Sequence, residues 1–184
     1  MSIVLVPIGR VDQPILKIIG EALSEELDGS FSVAKALPHP DYAYNEKRAQ
    51  YLSDAILAQL SQLPLSADRL LGIVDLDLYT PGLNFVFGQA SLSEREAIIA
   101  LPRLRQEFYG LPSNEALFHE RAIKEAIHEL GHTCGLGHCP NSKCVMHFSN
   151  SLADTDAKGV SFCPRCRRRL SRFLPSAGPS KLGG

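Results

Sequence analysis

The chain has 184 residues, 45% of them hydrophobic, with 19 Lys and Arg against 20 Asp and Glu, six His and five Cys. That length and apolar content suit one ordinary core, and a net charge of −1 excludes a strong general attraction to nucleic acid or membrane surfaces. No apolar run approaches the roughly 18 residues needed to span a bilayer, and the opening MSIVLVPIG lacks the features of a secretory signal, so a cytoplasmic monomer is expected.

Residues 2–8 are rich in Ile and Val without clean alternation, which predicts a strand buried on both faces. Ile15, Ile18, Ile19, Ala22 and Leu23 recur at helical spacing up to Asp28-Gly29, and a short strand is expected at 31–37. Pro38-His39-Pro40 makes a loop in which His39 is solvated. Ala49, Leu52, Ile56 and Leu60 mark a second amphipathic helix, closed by Pro64. Further strands are expected at 70–78, 83–90 and 97–101, the first two joined by Thr80-Pro81-Gly82. Asp75 and Asp77 alternate at a strand end and read as a solvated face. Strands alternating with helices imply an α/β layer.

A long helix is predicted to start after Pro112, capped by Ser113 with Glu115 in its first turn, and to bury Ile123, Ala126, Ile127 and Leu130. His119 on it reads as a packed or surface residue. The helix runs into HELGHTCGLGH, an HExxHxxGxxH pattern formed by His128, Glu129, His132, Gly135 and His138. Two histidines four apart project from one helix face, so His128 and His132 can both reach one ion at roughly 2.0–2.1 Å. Glu129 sits too far round the helix to share that coordination easily, but beside the metal it can accept a proton from zinc-bound water, as a general base does. Zinc lowers the pKa of its water to about 7 and polarises a carbonyl, which makes hydroxide attack on an amide feasible at neutral pH. A continuing helix would carry residue 138 away from the ion. Gly135, free to adopt the left-handed conformation, supplies the turn that returns His138 as third ligand and leaves the fourth position open. HExxH alone arises by chance, but the added glycine and third histidine mark a metallopeptidase site.

Cys139, Cys144, Cys163 and Cys166 follow, the last two in FCPRC. Two thiolates separated by two residues match a zinc knuckle, and four make a closed tetrahedral site that staples a segment with little apolar core of its own. Disulfides are the competing reading, but five cysteines leave one unpaired; a redox CxxC would leave Cys139 and Cys144 without a role. Cys134, inside the histidine run, reads as a small buried filler and not a ligand.

HELGHTCGLGHCPNSKCVM followed by FCPRC resembles the archaemetzincin (archaelysin) family of metzincin zinc metallopeptidases, in which a three-histidine motif, a four-cysteine site and a methionine occur in this order. The likeness is close over 128–166; for 1–127 only the order of elements is compatible. It implies a catalytic zinc on His128, His132 and His138 with Glu129 as base, and a structural zinc on Cys139, Cys144, Cys163 and Cys166, hence two Zn2+ per chain. It places Met146 in the Met-turn, as a hydrophobic base under the ligands. The stretch from Met146 to Cys163 is one residue shorter than the family's pattern, which bears on the pocket for the substrate residue after the scissile bond. The implied fold is α/β (α+β) and metzincin-like: a mixed twisted sheet with helices, an active-site helix, and a small zinc-stapled C-terminal subdomain. We therefore expect an N-terminal α/β subdomain at 1–138, the Met-turn and cysteine subdomain at 139–175, and a flexible tail at 176–184. Metzincins present an antiparallel edge strand above the zinc, and Leu83, Asn84, Phe85, Val86 and Phe87 are the candidate substrate-binding edge; an internal strand bounded by glycines fits this run equally well.

The expected activity is hydrolysis of peptide bonds in a peptide or protein substrate. The alternative is a zinc-stapled module that binds protein or nucleic acid through residues 165–172, because acidic residues stop after Asp156 while Lys158, Arg165, Arg167, Arg168, Arg169, Arg172 and Lys181 accumulate. An intact Glu129 argues for the enzyme, since a purely structural zinc needs no base. Neither a membrane nor nucleic acid is an expected partner.

Overall fold

The first strand, β1 (Ser2–Ile8), sends Ile3 and Leu5 to one face and Val6 and Ile8 to the other, and this two-sided burial sets the architecture. A computed structural model describes residues 1–91 and 94–173; the tail expected at 176–184 lies outside them. After β1 come α1 (Gln13–Glu26), β2 (Ser30–Val33), β3 (Tyr44–Asn45), β4 (Gln50–Leu52), α2 (Ser53–Ser61), β5 (Arg69–Val74), β6 (Leu78–Tyr79), β7 (Gly88–Ala90), β8 (Glu96–Ala100), α3 (Glu115–Thr133), α4 (Leu152–Ala157) and α5 (Pro164–Leu170). One mixed sheet has the order β2-β1-β5-β8-β7. Its strands pair in parallel except for β7, which runs antiparallel to β8 with Gly88 opposite Ile99. A small second sheet has the order β3-β4-β6.

Helices cover both faces of the larger sheet. Ile15, Leu16, Ile19 and Leu23 of α1 and Ala122, Ala126, Ile127 and Leu130 of α3 share a core with Ile3, Leu5, Leu71, Ile73 and Ile99. Ile56, Leu57 and Leu60 of α2 pack with Val6, Ile8, Val74 and Ile98 on the far side. Each fully buried Leu or Ile contributes roughly 1.5–3 kcal/mol, and this offsets the cost of sinking His128 and Glu129 into α3 beside them. The α1/α3 core continues into Val145, Met146, Phe162 and Leu170. The α/β (α+β) architecture is as expected, and no helix among the described residues is long and apolar enough to cross a membrane.

Several elements differ from the sequence pattern. The second helix starts at Ser53: Ala49 has φ 52°, and the next three residues are drawn into β4 by pairing with β3 and β6. β2 stops at Val33, with Leu37 making an isolated bridge to Ile8. Asp75 stays exposed but pairs with Arg105 Nη1 at 2.6 Å, whereas Asp77 is half-buried and accepts from Arg103 Nη2 at 2.7 Å, so the pair is not simply a solvated face. The strand expected at 83–90 shortens to β7. Leu83, Asn84, Phe85, Val86 and Phe87 form a loop instead, because Arg48 Nη2 takes the carbonyls of Leu83 and Asn84, at 2.9 Å each, that a neighbouring strand would otherwise pair. Asn114 rather than Ser113 caps α3, its side chain accepting from the Leu117 N–H at 3.1 Å.

Candidate active site

His128 and His132 lie one turn apart on α3, and their Nε2 atoms face each other at 3.0 Å. Each ring is held from behind: His128 Nδ1 donates to the Val145 carbonyl at 2.8 Å and His132 Nδ1 to the Leu136 carbonyl at 2.7 Å. A carbonyl only accepts, so both rings carry their proton on Nδ1 and point Nε2 lone pairs toward one another. Such lone pairs repel unless a cation lies between them. Nitrogens about 2.0–2.1 Å from one tetrahedral zinc stand roughly 3.3 Å apart, close to the spacing found. Gly135, at φ 71°, ends the helix in the left-handed conformation as its position in the motif requires. His138 then returns, exposed, so that one nitrogen of each ring lies within 4.8 Å of the others. Burial pushes the pKa of all three histidines down, and for His128 the Lys158 ammonium adds to the effect. Neutral imidazole is the ligating form.

Glu129 is buried beside the histidines. Burial, and then the nearby Glu125 carboxylate, raise its pKa well above the ordinary 4.5, while Lys158 opposes the rise. Lys158 pairs with Glu125 at 2.9 Å. The free edge of β7 comes close to Glu129 because residue 88 has no side chain: a Cβ there would stand 2.6 Å from Glu129 Cγ. A cleft of about 350 Å³ separates Leu83, Phe85, Val86, Phe87 and β7 from Glu125, His128, Glu129, His132 and His138, with Phe148, Ser149 and Asn150 also on its wall. Four of the five candidate edge residues thus line the cleft. Asn84 does not; its carbonyl is bonded to Arg48 and to Gln50 Nε2. A larger hollow of about 1040 Å³ beyond Ala90 contains none of the histidines or the four clustered cysteines. Met146 is fully buried against α3, where a Cβ on Gly131 would stand 2.4 Å from its Sδ.

Cys139, Cys144, Cys163 and Cys166 bring their sulfurs within 4.8 Å of one another, and none is in a disulfide. Cys139 and Cys163 Sγ are 3.8 Å apart. Sulfurs about 2.3 Å from one zinc stand roughly 3.8 Å apart, against about 2.0 Å in a disulfide. The Cys163 N–H donates to Cys144 Sγ at 3.2 Å. The Cys166 N–H bonded to Cys163 brings that thiol down to about 7, whereas burial pushes Cys144 and Cys166 up. Four sulfurs so close can all ionise only around a cation, which is the chemistry of a closed metal site. Cys134 is buried in the main core, apart from this group.

Three residues at the site escaped the sequence reading. Glu125 lies one helical turn before Glu129, a readable spacing. Lys158 and Phe148, whose ring stands 4.9 Å from that of His138, come from the segment after Met146, where no local pattern signals them.

The chain is similar over most of its length to known peptidases. The profile of peptidase family M54 matches residues 33–172. The archaemetzincin of Methanocaldococcus jannaschii is 45% identical over 170 residues, covering 92% of this chain and 93% of its own. That of Thermococcus kodakarensis is 45% identical over 183 residues, covering 94% and 96%. The crystal structure of the Methanopyrus kandleri archaemetzincin superposes with a TM-score of 0.82 at 43% identity, covering 95% of both chains. The chain therefore belongs to peptidase family M54, the archaemetzincins, and is a zinc metallopeptidase.

Proposed function

We propose that His128, His132 and His138 hold a catalytic zinc, that Cys139, Cys144, Cys163 and Cys166 hold a structural one, and that Glu129 is the general base. Two zinc ions per chain follow. The observation that carries the reading is the pair of Nε2 lone pairs facing each other at 3.0 Å beside a buried carboxylate. Zinc bound there would polarise the scissile carbonyl and lower the pKa of water to about 7. Glu129 takes the proton of the attacking water and hands it to the leaving amine, and its raised pKa suits both transfers, since an acid–base group works best near the operating pH. The substrate lies extended in the cleft, walled by Leu83 and residues 85–90, by α3 and, from the C-terminal subdomain, by Phe148, Ser149 and Asn150, and adds to the free edge of β7 by main-chain hydrogen bonds. Leu83, Phe85, Val86 and Phe87 form its wall, and Met146 supports α3 from below. All these groups come from one chain, as a monomer requires, and four thiols gathered for metal suit the reducing cytoplasm.

Metal analysis tests the assignment: the parent should carry two zinc ions, and His132→Ala and Cys144→Ser one each. Two zinc ions in His132→Ala would overturn the catalytic centre.

A further inference from the structure

Lys158 is fully buried, and its ammonium lies 2.9 Å from Glu125 Oε1; Thr155 Oγ1 donates to the same oxygen at 3.4 Å. A buried ion pair stabilises a fold poorly, because desolvating both charges takes back what their attraction provides and apolar residues of similar volume often do as well. Nor does α4 need it to dock on α3. Arg121 clasps Asp156 through two hydrogen bonds of 2.7 Å, and Lys124 Nζ donates to the Thr155 carbonyl at 3.1 Å.

Position sets the pair apart. The ammonium stands 3.5 Å from His128 Nδ1, the nitrogen that donates to the Val145 carbonyl. Glu125 lies on the cleft wall one turn before Glu129, its charge matched by Lys158 and so not left for a substrate cation. The next residue after Lys158, Gly159, donates to the Lys143 carbonyl at 3.2 Å in a fit with no room for a Cβ, which ties Lys158 to the segment that carries Val145.

We propose that Lys158 and Glu125 are positioning residues, an ion pair wedged behind His128 that holds its ring and the Val145 carbonyl in the ligating arrangement. The inference rests on the histidine zinc centre proposed above. The pair touches no reacting atom; it acts through His128. Groups that orient a metal-binding histidine typically govern metal retention and turnover by about 10- to 100-fold.

Lys158→Met alone would strand a buried carboxylate, so the informative protein is the double variant Lys158→Met with Glu125→Leu, which removes both charges and keeps the volume. It should melt at or above the parent's temperature. It should also release its histidine-held zinc to a chelator about 10- to 100-fold faster, with kcat falling over the same range and KM little changed. His132→Ala identifies which zinc is histidine-held. A folded double variant with the parent's release rate and kcat overturns the inference, and so does one that fails to fold, because the pair would then be holding the fold rather than the ring. If His132→Ala keeps its full zinc complement, the metal centre itself is misassigned, a separate failure that takes this inference with it.

Discussion

Gly88 and Glu129 touch so closely that not even a methyl group fits between them: a Cβ on Gly88 would stand 2.6 Å from Glu129 Cγ and 2.8 Å from Oε1. Gly88 has no positive φ, so alanine would meet no φ strain there, but its Cβ would also stand 2.8 Å from the Ile98 carbonyl oxygen, so the effect is shared between Glu129 and the β7–β8 pairing. Gly88→Ala should leave the metal content unchanged and lower kcat by about 100-fold, the scale expected when a catalytic group is displaced by roughly 1 Å. Steady-state kinetics with metal analysis decide it; a parental kcat would mean that the carboxylate need not sit where this contact places it.

Glu129→Gln should keep the parent's metal content and lose about 10²- to 10⁴-fold in kcat. It also makes a pH prediction. Because burial raises the pKa of Glu129 above 4.5, its contribution to folding is full below 4.5 and is lost as pH rises through the folded value. The amide does not titrate, so in metal-free protein the Gln variant should gain on the parent as pH rises. The three histidines act with the opposite sign, costing stability as pH falls below 6.5, but they do so in both proteins and cancel. Thermal melts from about pH 4.5 to 8 give the difference directly; a constant gap would contradict a Glu129 pKa raised by burial.

What was legible in the sequence follows from the range of the forces involved. Metal coordination imposes local spacings, so His128, His132 and the Cys163–Cys166 pair stand out, and Gly135 does because only a left-handed turn returns His138. The runs that became β1, β5 and β8 were readable as buried apolar strands. The misreadings involve long-range partners. Residues 50–52 look helical but are claimed by β3 and β6, and the 83–87 run looks like a strand until Arg48 caps its carbonyls. Lys158 reaches His128 only through tertiary packing, which no periodicity encodes.

Arg103 bears on substrate binding. Its guanidinium lies 4.4 Å from the centre of the Phe85 ring and 4.6 Å from that of Phe108, while its Nη2 donates to Asp77 at 2.7 Å. Phe85 is part of the cleft wall, so Arg103 braces that wall from behind. Contacts of this kind are worth about 0.5–2 kcal/mol, or roughly 2- to 30-fold in binding. Arg103→Ala should raise KM within that range and change kcat less, since Arg103 does not reach the histidines. Kinetics on one peptide substrate test this; a drop confined to kcat would count against a bracing role.

Cys144, Val145 and Met146 are consecutive, so one of the four clustered cysteines, the carbonyl bonded to His128 and the methionine under Gly131 move as one piece. The Cys139 N–H fastens to the Met146 carbonyl at 2.8 Å, which closes the piece on itself. Structural zinc in small domains contributes apparent free energies of about 10–16 kcal/mol, comparable with the whole stability of an ordinary domain at about 5–15 kcal/mol. Removing it should therefore loosen the C-terminal segment and the end of the core that Cys139, Cys144 and Cys166 complete, while the α/β layer, held also by Ile3, Leu5, Ile19, Leu71, Ile99 and Ala126, stays folded. Cys144→Ser should accordingly keep most of its far-ultraviolet circular dichroism yet yield its histidine-held zinc to a chelator faster than the parent does. Val145 is the reason: once its neighbour is unhooked, its carbonyl no longer fixes the His128 ring. If the variant empties at the cysteines but holds zinc at the histidines as tightly as the parent, Val145 is anchored by the main core alone and the two centres are independent.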